Sequence, residues 1–153
     1  MTLEQYLTFK FGNNTSSLAC IVYMLKASFM ASSYRKFWQN WNPLWSFFLL
    51  FHLYKPLSKK LSQQIALFVT FTLSGFLHDC VAMLMTGKTS VVMTLSFSLA
   101  ALIVMLEKKV GINLSKAPAP LKPLYHLLLI TISALPVFVI FSLWDLGSIL
   151  FTI

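Results

Sequence analysis

The chain has 153 residues, of which 58% are hydrophobic and only 10% are charged. That apolar content exceeds what a soluble core uses and excludes an ordinary soluble domain. Twelve Lys and Arg against four Asp and Glu give a net charge of +8, and because the cations fall between apolar segments, membrane topology accounts for them better than nucleic-acid binding.

The pattern predicts an all-α integral membrane protein in one domain, residues 1–153, with about four transmembrane helices plus a short re-entrant or interfacial helix. The opening MTLEQYLTFKFGNN lacks the cationic start and apolar run of a cleavable signal, so none is expected. Over 1–12, Leu3, Tyr6, Leu7 and Phe11 recur at helical spacing, which predicts an amphipathic helix on the membrane surface. The first span is expected over 16–32, interrupted by Lys26, which has to snorkel, pair or face a cavity. Next comes YRKFWQNWNP, residues 34–43, an unusually polar and aromatic stretch for this chain. The apolar run 43–54 spans only about 18 Å as a helix, too short to cross, and reads as re-entrant or interfacial. Further spans are expected over 64–86, 90–106 and 124–144, with Pro136 kinking the last. Between them, SKAPAPLKP (115–123) favours extended backbone.

If 43–54 does not cross, Arg35, Lys36, Lys55, Lys59, Lys60, Lys108, Lys109, Lys116 and Lys122 share one face. That asymmetry is what the positive-inside rule asks for, and it puts both termini on the non-cytoplasmic side. Cys20 and Cys80 lie in apolar runs without metal-ligand spacing, which predicts buried free thiols, with a disulfide as the alternative.

The span 64–86 carries adjacent His78 and Asp79 near its middle. An ionisable pair at that depth is costly unless it faces protein, water or a partner, which makes function the first hypothesis and an interhelical hydrogen bond the second. Helical neighbours point about 100° apart, so one of the two can face a reaction space while the other ties this helix to its neighbour. Ser74 lies one turn before His78, and Gly75 permits a close backbone approach.

Together, SSYRKFWQNWNPLW, YKPLSKKL and LSGFLHD resemble the core of the membrane-bound O-acyltransferases, above all their wax-synthase-like branch, over roughly residues 28–142. In that family an aromatic, basic FW...RRWN segment precedes a SGxxHE helix holding an invariant histidine. The resemblance implies acyl transfer from a thioester donor such as acyl-CoA to a hydroxyl of a lipid or small metabolite. His78 is then the general base and Asn42 the polar partner that orients the acceptor or donates to the oxyanion. Imidazole chemistry suits the first role and a neutral amide the second. A capping or turn role for Asn42, directly before Pro43, competes with the second.

On the same reading Arg35 and Lys36 hold the phosphates of acyl-CoA, which enters as a co-substrate with no bound cofactor and no metal; ordinary positive-inside anchoring is the alternative. Trp38, Trp41 and Trp45 share one face if the segment is one helix, as an interfacial belt or as lining for the acyl chain. Ser74 and Asp79 join the substrate-binding set, while His52 and His126 are expected to be structural. Asp79 stands where the family usually has Glu, and familiar members have about eight or more spans. The short chain therefore reads as a minimal or truncated member, or as one completed by a homo-oligomer or partner subunit. The competing class is a non-catalytic lipid-binding or accessory subunit; a transporter is disfavoured because no repeat is visible. Short loops favour a bacterial inner membrane.

Overall fold

The computed structural model describes residues 2–12 and 17–140. Among these the chain is helical, without strands: α1 (Leu3–Phe11), α2 (Ser17–Phe29), α3 (Tyr34–Trp41), α4 (Pro43–Phe48), a π-helical segment (Leu49–Tyr54), α5 (Lys55–Ser58), α6 (Gln63–Thr86), α7 (Val92–Val110) and α8 (Leu121–Ser133).

Local chemistry sets most of these boundaries. Thr2 and Gln5 form a reciprocal capping box on α1, and the Ser33 and Ser62 hydroxyls accept from the Lys36 and Ile65 N–H groups to start α3 and α6. Both α6 and α7 stop at glycines in the left-handed region, Gly87 and Gly111, where a side chain would be strained.

The helix α7 begins differently, because Val91 at its N-cap has no side chain able to accept. Asp79 of α6 does this instead. One carboxylate oxygen accepts from the Met93 N–H at 3.0 Å, and the other accepts from the Thr94 N–H at 2.8 Å and the Thr94 hydroxyl at 2.7 Å. A carboxylate at a helix N-terminus satisfies orphan donors and complements the macrodipole at once. It can reach them because Gly75, one turn earlier on α6, lets α7 come very close: a Cβ there would lie 2.5 Å from the Met93 carbonyl oxygen and 2.7 Å from the Thr94 Cα.

A second buried carboxylate places α3. Glu107, in the last turn of α7, accepts the Tyr34 N–H with both oxygens at 2.8 and 3.0 Å and takes the Tyr125 hydroxyl at 2.9 Å. The turn before α3 is held further by His126, whose Nε2–H donates to the Ala31 carbonyl at 3.0 Å, and by the Leu114 N–H on the Ser32 carbonyl. Tyr34 and Phe37 are fully buried in a core with Ala31, Leu67, Ala100, Ala101 and Val104. At the other edge, Tyr6 of α1 packs on Phe47 and Phe51, and the Lys10 ammonium donates to the Asn40 side-chain carbonyl at 2.7 Å. Burial draws Lys10 below the usual lysine range.

The distribution of polarity is inverted relative to a soluble protein. Ser28, Thr70, Ser74, Asp79, Ser96, Glu107, His126 and Ser133 are buried, while Leu73, Phe76, Val81, Leu84 and Met85 of α6 point outward. Polar groups turned in and apolar groups turned out suit a lipid solvent. Among the described residues one helix, Gln63–Thr86, is long and apolar enough to cross a bilayer. The apolar helices Cys20–Phe29 and Leu121–Ser133 are shorter, and α7 carries Glu107, Lys108 and Lys109 in its final turn.

Several expectations are corrected. The stretch 43–54 is part of a longer helical run, 43–58, that widens into π geometry at Leu49–Tyr54. The widening ends just before Pro56, whose ring would otherwise press on the His52 carbonyl in a regular α-helix. Trp38, Trp41 and Trp45 do not share one helix, because α3 stops at Asn42 and Trp45 belongs to α4. The last expected span is interrupted at Ala134, two residues before Pro136, with helical backbone resuming at 135–140; its end, 141–144, lies outside the described residues. Cys20 and Cys80 are free thiols, half-buried rather than buried.

Gly75→Ala should separate α6 from α7 and cost about 1–3 kcal/mol, and Asp79→Ala should cost about 2 kcal/mol by uncapping α7. Thermal unfolding in detergent checks both, and Gly75→Ser should resemble Gly75→Ala, since any Cβ meets backbone.

Candidate functional site

A cavity of about 180 Å3 opens where α3, α4 with its π segment, α6 and α7 meet. The polar stretch noted in the sequence forms one wall, through Arg35, Trp38, Trp41 and Asn42, and α6 forms the opposite wall through Ser74 and His78. The π segment contributes Leu49, Leu50 and Tyr54. Wider turns of this kind recur at functional sites because they turn side chains out of the regular α register.

The imidazole of His78 is exposed on one side and held by aromatic rings on others. Phe97 stacks on it at 5.0 Å between centroids, and Trp45 meets it edge-on at 5.7 Å. Its Nδ1 lies 2.7 Å from the Ser74 carbonyl oxygen one turn earlier. A carbonyl only accepts, so Nδ1 carries a proton, and in the neutral ring Nε2 is the nitrogen with the lone pair. Among the described residues no hydrogen bond occupies Nε2.

Asn42 closes α3 and caps α4, its side-chain oxygen accepting the Trp45 N–H at 3.1 Å. The capping role weighed for it is therefore present, and it leaves Nδ2 as the group Asn42 can offer to a ligand at the cavity wall. Ser74 lines the same cavity and accepts the Trp45 indole N–H at 2.8 Å.

Asp79 is not part of this cavity. Both its oxygens are committed to the α7 N-terminus, so the expected substrate contact gives way to a cap, as the 100° offset from His78 allows. Lys36 is likewise absent from the first cavity and lines a second one of about 430 Å3, which shares Arg35 and Leu67 with the first. Lys36, Arg35 and Lys108 bring three cations to that second space, along with the amides of Gln63 and Asn113. None of the three cations pairs with a carboxylate among the described residues. Arg35 instead donates to the Tyr54 hydroxyl at 3.3 Å and lies 5.6 Å from that ring's centroid. The lining's one acid, Glu107, is occupied by Tyr34 and Tyr125.

His126 is structural, as expected, buried on the Ala31 carbonyl and stacked against Tyr34. His52 is exposed and tilts against Phe48 at 5.3 Å. Two residues of this region, Phe97 and Glu107, escaped the sequence reading as site groups, and Trp45 was weighed there only as belt or acyl-chain lining. Asn before Pro is a helix-start signal, and a cap at Asn42 would have placed Trp45 in a new first turn. For Phe97 and Glu107 no local signal exists, because their roles come from helices packed beside them.

No curated protein and no solved structure matches the chain. A family model described as MBOAT, membrane-bound O-acyltransferase family, matches residues 19–144, a range that holds both cavities, His78 and Asn42. A match across most of the sequence means that the chain belongs to the membrane-bound O-acyltransferase family.

Proposed function

We propose that the chain transfers an acyl group from a thioester donor, acyl-CoA in the first instance, to a hydroxyl of a lipid or small metabolite, with His78 as general base. The observation that carries this reading is the Nδ1–H of His78 tied to the Ser74 carbonyl, with Nε2 free, in a cavity that Asn42 also lines. In the step proposed, Nε2 takes the proton of the acceptor hydroxyl as its oxygen attacks the thioester carbonyl. The tetrahedral intermediate collapses by breaking the carbon–sulfur bond, and the imidazolium returns the proton to the leaving thiolate. Asn42 Nδ2 is the donor to the developing oxyanion. A low-polarity surround, here Trp45, Phe97 and Leu50, limits hydrolysis of the thioester.

The second, cation-lined cavity supports a phosphate-bearing donor. Its three uncompensated cations border the apolar cavity at Arg35, so a molecule with a charged head and an acyl tail fits across the two. In the bilayer we place the chain as a single domain with four crossings and the α3–α5 region on the cytoplasmic face, together with nine of its twelve Lys and Arg. The order of motifs favours the wax-synthase-like branch, and the short connections favour a bacterial inner membrane.

One observation favours a second reading. His78 is exposed, so the site needs another wall, supplied by lipid, a second copy or a partner subunit, and a lipid-binding accessory chain would share this geometry.

Purified chain in nanodiscs, given labelled acyl-CoA and a panel of alcohol and lipid acceptors, should transfer label or hydrolyse the thioester. His78→Ala should lower the rate by about 10²–10⁴-fold with unchanged thermal unfolding, and Asn42→Ala by up to about 10²-fold with a stability loss of about 0.5–2 kcal/mol from the missing α4 cap. Full activity in His78→Ala would remove the general-base role, and a wild-type chain that neither reacts nor binds donor would favour the accessory reading.

A further inference from the structure

The two candidate reaction groups sit on different helices with no covalent reason to keep a fixed separation. Asn42 ends α3 and starts α4, whereas His78 lies in the middle of α6. One side chain connects them. The backbone N–H of Trp45 donates to Asn42 Oδ1 at 3.1 Å, its indole N–H donates to Ser74 Oγ at 2.8 Å, and the Ser74 carbonyl accepts Nδ1–H of His78 at 2.7 Å. The indole also meets the imidazole edge-on and stacks on Phe48 at 5.4 Å.

We propose that Trp45 is the positioning residue that couples Asn42 to His78, a proposal that rests on the acyl-transfer reading above. It acts through Ser74 and the imidazole ring. Its indole N–H fixes α4 against α6 at the level of Ser74, and its ring edge holds the imidazole plane against Phe97. With both in place, the Nε2 lone pair and the Asn42 amide face one space at a set distance. Loss of either contact lets α4 drift and the imidazole rotate about χ2. A displacement near 1 Å costs about 10²-fold in a positioned reaction.

Trp45→Phe keeps an aromatic ring beside Phe48, removes the indole N–H and shortens the ring edge that meets the imidazole. In nanodiscs it should lower kcat by about 10- to 100-fold while leaving the donor KM within about threefold, the pattern of a lost transition-state contact. Ser74→Ala breaks the same link from the other side, and carries the test if Trp45→Phe does not fold. The double variant should be no slower than the slower single one, because both remove one connection. Losses that multiply, or a Trp45→Phe variant at wild-type turnover, overturn the proposal.

A readout independent of turnover completes the test. Diethyl pyrocarbonate modifies the unprotonated imidazole nitrogen, and its rate at His78 can be followed by peptide mass spectrometry. At fixed pH that rate should rise severalfold in Trp45→Phe, and an unchanged rate overturns the proposal. If the wild-type chain transfers no acyl group, the acyl-transfer reading fails by itself, while the modification rates still decide whether Trp45 restrains His78.

Discussion

Asp79 lies in an apolar stretch of α6, and its carboxylate takes the Met93 and Thr94 N–H groups that α7 would otherwise leave unpaired. In water such groups would find solvent, but in hydrocarbon each unpaired one costs several kcal/mol. The bond supplies the acceptors that the start of α7 lacks in its own sequence. It also requires the close crossing at Gly75, since any side chain there would meet the α7 backbone. Once α6 and α7 are locked at this level, the residue before Asp79 turns about 100° away from the crossing. That residue is His78, and the direction is toward the cavity.

The same device works at the other end of α7. Glu107, in its last turn, receives the N–H of Tyr34 at the start of α3. Thus α7 is a strut whose first turn is held by the histidine helix and whose last turn holds the helix that ends in Asn42. Both carboxylates have their oxygens engaged by N–H and O–H donors, so neither is free to bind a ligand in the two cavities. Three cations, Arg35, Lys36 and Lys108, against the one carboxylate of Glu107 leave the second cavity with a net positive charge, while the first carries the imidazole of His78. This separation of structural acids from functional cations explains how a chain with four acidic residues keeps a cation-lined space beside an apolar one.

Much of this was legible in the sequence because it follows from periodicity and depth. The spans around 64–86 and 90–106 are near α6 and α7, and the opening helix is near α1. The polar stretch at 34–43, out of place in an apolar chain, pointed to a site wall, and Gly75 pointed to a close crossing. Other features depended on partners distant in sequence. Asp79 read first as a functional group and second as a tie, and only its bonds to the α7 backbone show the tie. Glu107 went unweighed because it lies just past the expected span beside Lys108 and Lys109, where an acid reads as interfacial. The π segment has no periodic signature that separates it from an α-helix over six residues. Trp45 was grouped with Trp38 and Trp41 by spacing alone, and the helix stop at Asn42 separates them.

The proposed acyl transfer depends on one atom, Nε2 of His78, left free by the bond from Nδ1 to Ser74. The most direct measurement is 15N NMR of the chain in nanodiscs with histidine side chains labelled, at about pH 8, above the ordinary imidazole titration. Signals absent from His78→Ala identify the residue. The account predicts a protonated, pyrrole-type Nδ1 and a pyridine-type Nε2 for His78. A pyrrole-type Nε2, or two averaged signals from a freely exchanging ring, would contradict it.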